Sequence, residues 1–316
     1  MTMPSLEMIR AAAKRIAPYV HKTDLMRSST IDAECGAELI FKCENLQKVG
    51  AFKARGATNA VFKLQPDAAK RGVITHSSGN HGAALAYAAS CREVPCVVVM
   101  PDDAPTIKKE AVAGYGALIV ECARAEREAT CQHELEQRGM TMIHPYEHPD
   151  VIEGQATASL ELLDEAGELD LIVAPVGGGG LLSGTASTVA ALCADRTTVW
   201  GAEPAAVDDA YRSLESGELQ PAVERPNSWG DGLLTGLGCN AFTILRDCGV
   251  RVVTVSESEM LQAAWTLISR LKTVVEPSAA TVLAAAISRR QEWAGKRIGL
   301  ILSGGNTDFR WLAELD

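Results

Sequence analysis

The chain has 316 residues, of which 47% are hydrophobic and 22% charged, the make-up of a folded globular protein. Its 30 Lys and Arg against 40 Asp and Glu leave a net charge of −10, spread without long runs. This argues against nucleic acid as the main partner, because phosphate binding needs a clustered basic surface, and no apolar run is long enough to suggest a membrane span.

Along the chain, Leu6, Ile9, Ala13 and Ile16 recur at helical spacing before Pro18, which predicts an amphipathic helix rather than a signal peptide. β-rich runs follow: "ELIFK" (38–42), "GVITH" (72–76), "PCVVVM" (95–100), "ALIVE" (117–121) and "MTMIH" (140–144). Then come "DLIVAPV" (170–176), "TVWGAE" (198–203), "RVVTV" (251–255) and "RIGLILS" (297–303). Ala- and Leu-rich helical stretches such as "GAALAYAASC" separate them. Continuous apolar strands alternating with helices predict α/β architecture, with mostly parallel sheets covered on both faces. Nine strands are many for one sheet, so two units are expected: a large one from 1–71 and 146–316, and a small inserted one from 72–145. The nine cysteines lack CxxC spacing, and several sit in apolar runs. They read as free thiols of a reducing, cytoplasmic compartment.

Three glycine-rich stretches follow strands: "SSGNHG", "PVGGGGLLSG" and "SGGN". In parallel α/β sheets, ligands bind outside the carboxyl ends of strands, so three such loops suggest one shared site. Gly177, Gly178, Gly179 and Gly180 carry no side chains, and Leu181 opens a helix. Successive N–H groups beside the positive end of a helix dipole form an anion cradle suited to phosphate; a flexible turn is the alternative. The loop lacks the Gly-Lys-Ser/Thr of a P-loop. Lys53 lies in "VGAFKARGA", on a segment crowded by glycines. An amine, a phosphate cradle and polar loops at strand ends together suit pyridoxal phosphate, whose aldehyde forms a Schiff base with lysine.

The ordered stretches "KVGAFKARGA", "SSGNHG", "PVGGGGLLSG", "GAEP" and "LSGGN" resemble the signatures of fold type II pyridoxal-phosphate enzymes, within the serine/threonine dehydratase and serine racemase group. The resemblance covers essentially the whole chain. It implies two three-layer α/β/α units with the cofactor in the cleft between them, as in the tryptophan synthase β-like fold. It makes Lys53 the Schiff-base lysine, sets Phe52 against the cofactor ring and gives Asn80 the ring's phenolic oxygen, although Asn80 also suits a helix N-cap. Gly177 to Gly180 and Leu181 would bind the phosphate, and Ser303 would face the pyridine nitrogen. A hydroxyl there holds that nitrogen protonated less well than a carboxylate, which favours β-elimination over transamination. Ser77, Ser78, Gly79, Asn80 and His81 would receive the substrate carboxylate. Ser78 matches the serine that delivers a proton to the face opposite the lysine in racemases.

The implied reaction is loss of water from a β-hydroxy amino acid (L-serine, L-threonine or 3-hydroxyaspartate), giving a 2-oxo acid and ammonia, with serine racemisation as the alternative. A β-replacement synthase and a non-catalytic binding protein are weaker rivals. Ala51 stands where the commonest motif has serine, a form found in relatives including hydroxyaspartate dehydratases. A β-carboxylate would need a cationic partner, and Arg55 is a candidate that could instead be structural. "GAEPAAVDDA" resembles the group's divalent-cation site, with Glu203, the Val207 carbonyl and Asp209 as oxygen ligands for Mg²⁺, Mn²⁺ or Ca²⁺. His144 and His148 read as loop histidines rather than zinc ligands. The group's members are commonly homodimers. The sequence ends soon after "LSGGN", so regulation by an additional C-terminal segment is not expected.

Overall fold

In the computed structural model, which describes residues 3–77, 79–104 and 106–315, ten strands divide between two sheets. They are β1 Leu25–Met26, β2 Glu38–Lys42, β3 Val73–His76, β4 Cys96–Pro101, β5 Leu118–Cys122, β6 Thr141–Met142, β7 Leu171–Pro175, β8 Thr198–Pro204, β9 Arg251–Val255 and β10 Arg297–Ile301. The larger sheet runs β1-β2-β10-β7-β8-β9 and is parallel except for β1, which pairs antiparallel with β2. The smaller runs β5-β4-β3-β6 and is wholly parallel. Nine strands match the predicted runs with ends moved by a residue or two. The tenth, β1, is two residues long, too short for any periodicity to announce it.

Both sheets are covered on both faces, because alternate residues of each strand point to opposite sides. In the larger sheet Leu39, Phe41, Leu171, Val173, Leu300 and Val253 pack on one side, against helices Glu257–Thr266 and Pro277–Ser288. Ile40, Ile172, Ala174, Val252 and Ile301 pack on the other, against Pro149–Ala166, Gly180–Leu192 and Cys239–Asp247. In the smaller sheet Val73, Val98 and Met100 face Asn80–Arg92, while Ile74, Val97 and Val99 face Arg127–Arg138. The fold is therefore two α/β/α units. The core on one face of the smaller sheet also takes Ala57, Ala60 and Val61 from helix Lys53–Lys63, together with Val151. No helix among the described residues is long and apolar enough to cross a membrane.

Candidate active site

A cavity of ≈ 390 Å³ lies where the carboxyl ends of β3, β7 and β10 converge. Phe52, Lys53, Asn80, Gly177 to Gly180, Leu181 and Ser303 all line it, with Ser77, Gly79 and His81. Ser78 lies outside the described residues.

The lysine is held by stitching of its segment to the end of β10. Val49 and Gly50 both have positive φ, 56° and 68°, which turns the chain sharply. Ala51 then bridges Gly304, and the Phe52 N–H donates to the Ser303 carbonyl at 3.0 Å. Helix Lys53–Lys63 starts from this anchored point. Lys53 Nζ donates to the Pro145 carbonyl at 2.9 Å and sits 5.1 Å from the centroid of the Phe52 ring. Burial pushes its amine down to about 8, against the opposing pull of the Glu276 carboxylate.

The glycine loop is shaped by close approach. A methyl group added at Gly177 would lie 2.9 Å from Leu233 Cα, one at Gly178 would run into the Tyr146 ring, and Gly179 has φ 88°. Gly180 begins helix Gly180–Leu192, whose first-turn N–H groups have no partner inside the helix. The glycines thus leave an open, amide-lined concavity at the positive end of a buried helix.

Asn80 is the first residue of helix Asn80–Arg92, with Gly79 in the cap position and no side-chain cap, so the N-cap alternative is not realised. The turn before it is closed instead by the Gly79 N–H donating to Ser77 Oγ at 3.2 Å. Asn80 Nδ2 donates to both oxygens of Glu276 at 3.1 Å, and Oδ1 accepts from Asn306 Nδ2 at 2.9 Å. The amide is therefore fixed from both ends. His81 Nε2 lies 3.0 Å from the Ile143 carbonyl, and since a carbonyl only accepts, that nitrogen carries the proton. Burial holds the ring neutral. The imidazole N–H is thus committed to the fold, leaving His81's backbone N–H for an anion.

Sequence reasoning missed several cavity residues. Glu276 is buried, which pushes its carboxyl up to about 7 with the help of Asp231, while Asn80 and Lys108 pull it down. The signal was an acid inside the apolar run "TVVEPSAATV". Lys108, Arg124 and Arg127 also line the cavity, and Arg127 Nε is buried with no hydrogen-bond partner among the described residues. Arg55, considered as a substrate partner, is instead structural. It is wholly buried, donating from Nε to Glu44 at 2.6 Å and from Nη1 to Glu161 at 2.8 Å.

Glu203 and Asp209 lie apart from the cavity, at the end of β8 and the start of helix Asp209–Ser216, with Val207 on the turn between. Both are buried. Glu203 Oε1 accepts from the Tyr211 N–H at 2.6 Å, and Asp209 Oδ2 from the Leu237 N–H at 2.7 Å. Burial, reinforced by Asp209, pushes the Glu203 carboxyl up to about 9. Among the described residues, no group of three or more His, Cys, Asp or Glu side chains is placed to hold a metal. His144 Nδ1 accepts from the Glu147 N–H, and His148 Nδ1 from the Asp150 N–H.

A model of the family described as pyridoxal-phosphate dependent enzyme matches residues 16–304. The chain is 46% identical to a serine racemase of Dictyostelium discoideum, over 100% of this chain and 98% of that protein. It is 43% identical to a beta-hydroxyaspartate dehydratase of Paracoccus denitrificans, over 98% of each. The solved structure of a maize serine racemase superposes with a TM-score of 0.94 at 40% identity, covering 99% of this chain and 97% of that one.

Proposed function

Because the chain belongs to the pyridoxal-phosphate dependent enzyme family, we propose that it is a dehydratase that eliminates water from a β-hydroxy amino acid, with 3-hydroxyaspartate the preferred substrate over serine and threonine. The observation that carries the substrate choice is the pair of arginines on the cavity lining. Arg124 and Arg127 both line the cavity, Arg124 resting on Asp103 at 2.8 Å. Guanidinium groups on the lining suit paired hydrogen bonds to a second carboxylate on the substrate. The 43% identical beta-hydroxyaspartate dehydratase supports the same choice.

The residues present fit the cofactor. The Lys53 amine is depressed toward neutrality, the form that can attack an aldehyde. The concavity at Gly177 to Gly180 is one that added side chains would close. Pyridoxal phosphate, when bound, supplies an electron sink that acidifies the Cα–H of an attached amino acid. Backbone N–H groups of Gly177 to Gly180 and Leu181 would hold its phosphate. Phe52 would pack on the ring, Asn80 would direct its amide to the phenolic oxygen, and Ser303 would offer a hydroxyl to the ring nitrogen. Lys53 would carry the cofactor and, with its amine free, would serve as the base for the Cα proton. Ser77, Ser78, Gly79, Asn80 and the His81 backbone would orient the α-carboxylate. Glu276 fixes the Asn80 amide, so that Asn80 is presented in one orientation.

Glu203, the Val207 carbonyl and Asp209 would hold a divalent cation, Mg²⁺, Mn²⁺ or Ca²⁺. Two carboxylates whose proton affinity burial raises, Glu203 further through Asp209, are a donor set a cation would relieve. The free thiols support a reducing, cytoplasmic setting, and the exposed apolar side chains Leu46, Trp265, Val274 and Phe309 support a homodimer. We read 72–145 as the smaller unit and the remainder as the cofactor-holding one.

Serine racemisation is the second reading, supported by the 46% identical racemase. Offering L-serine, L-threonine and each 3-hydroxyaspartate diastereomer, and scoring oxo acid and D-amino acid separately, tests both. Fastest release of oxo acid and ammonia from a 3-hydroxyaspartate is expected. D-serine formed faster than any oxo acid would replace the first reading with the second.

A further inference from the structure

Lys108 projects from helix Thr106–Gly114 of the smaller sheet and pairs with Asp231, on the turn Asp231–Leu233 across the cleft. Both line the cavity. The ammonium also overhangs the loop expected to receive the substrate's α-carboxylate: a methyl group added at Gly79 would have Lys108 Nζ as its nearest neighbour, at 3.9 Å. The Asp231 turn does not depend on this pair for its shape. The Asp231 N–H donates to the Trp229 carbonyl at 2.9 Å, the Leu233 N–H to the Gly230 carbonyl at 2.8 Å, and the Gly232 N–H to Ser278 Oγ at 2.9 Å.

We propose that Lys108 is a specificity-determining residue that receives the substrate's α-carboxylate above Gly79, and that Asp231 is the partner on which it rests while the cavity lacks substrate. This rests on the amino-acid reading of the site. The side chains of Lys108 and Asp231 are 26% and 45% exposed, and ion pairs so open to water contribute little. Exchanging the Asp231 carboxylate for that of a substrate is therefore nearly balanced, and the substrate's other contacts decide it. Asp231 keeps the cation in place and also competes with the substrate for it. The two residues consequently have opposite effects on affinity, which a simple strut between the units would not give.

The test compares Lys108→Met, Lys108→Arg and Asp231→Asn holoenzymes, using the amino acid that the wild type turns over fastest. Lys108→Met is expected to raise KM by about tenfold with kcat within about threefold, the pattern of a lost uniform binding contact. Lys108→Arg should retain most of the affinity, and Asp231→Asn should leave KM unchanged or lower it. Glycine, as a non-eliminating carboxylate probe, should raise the melting temperature of wild type and Asp231→Asn but not of Lys108→Met. Equal rises in KM for Lys108→Met and Asp231→Asn, or an unchanged KM and glycine response in Lys108→Met, would overturn the proposal. A wild type that binds glycine yet turns over no β-hydroxy amino acid would instead sink the reaction assigned above, leaving the glycine comparison to judge Lys108.

Discussion

Burial pushes the Lys53 amine down to about 8 while the Glu276 carboxylate pulls it up, so its nucleophilic, neutral form appears above that pH. The rate at which apoprotein captures pyridoxal phosphate should rise about tenfold per pH unit below 8 and level off above it. A solvated lysine would continue rising toward 10.5. Stopped-flow absorbance checks the profile, and Glu276→Gln should move its midpoint lower, because the opposing carboxylate is gone. Glu203 gives a second pH signature of opposite origin. Its folded-state carboxyl, raised from 4.5 to about 9, binds a proton that the unfolded chain releases. Without divalent cation, the melting temperature should therefore fall as pH rises through that window. Saturating Mg²⁺ or Ca²⁺ should flatten the slope and raise the melting temperature at pH 8, and a chelator should reverse this. A profile indifferent to cation would remove the metal from the account. The sequence pattern marked Lys53 and the four glycines, each in a local stretch with its own chemistry, and the family resemblance added Asn80. Glu276 and Lys108 were less legible, because what brings them to the cavity is pairing across the fold: Glu276, whose local sign is only an acid in an apolar run, meets Asn80 from 196 positions away.

At the scale of elements, the strand runs were readable because a strand buried on both faces is apolar throughout. Their ends were less so, being set by where partners stop pairing: β6 keeps only Thr141 and Met142 opposite Val73 and Ile74. The turn from β7 into helix Gly180–Leu192 was legible as a cradle, but not what presses on it. Tyr146, arriving from beyond β6, lies so close to Gly178 that no side chain fits between them. Gly178→Ala should consequently weaken pyridoxal-phosphate binding by about fivefold or more, since overpacking of this kind forces backbone shifts costing ~1–3 kcal/mol. Trimming Tyr146→Ala in the same chain should recover part of the affinity. Equilibrium titration of apoprotein followed by absorbance measures both. An unaffected Gly178→Ala would mean that the loop accommodates bulk and is not a shaped cradle.

For the whole molecule, the question is whether the two sheets are independent bodies. The net charge of −10 is spread over both, and neither pattern nor linker composition separates them, so the division at 72 and 145 was inferred from strand count alone. The cores say more. The larger sheet fills both its faces with its own helices, whereas the smaller takes Ala57, Ala60, Val61 and Val151 from outside 72–145. Three of these come from the helix that begins at Lys53, so the element carrying the Lys53 amine also completes the smaller unit's core. Excised residues 72–145 would expose the side of helix Asn80–Arg92 that packs against Lys53–Lys63, removing burial that a fragment of this size can scarcely lose. The fragment should therefore show no cooperative thermal transition by circular dichroism, while the full chain unfolds in one. A cooperative transition in the fragment would show that Ala57, Ala60 and Val61 only rest on a finished core. The amine would then be fixed by its stitching to Ser303 and Gly304, with no contribution from helix Asn80–Arg92 beside it.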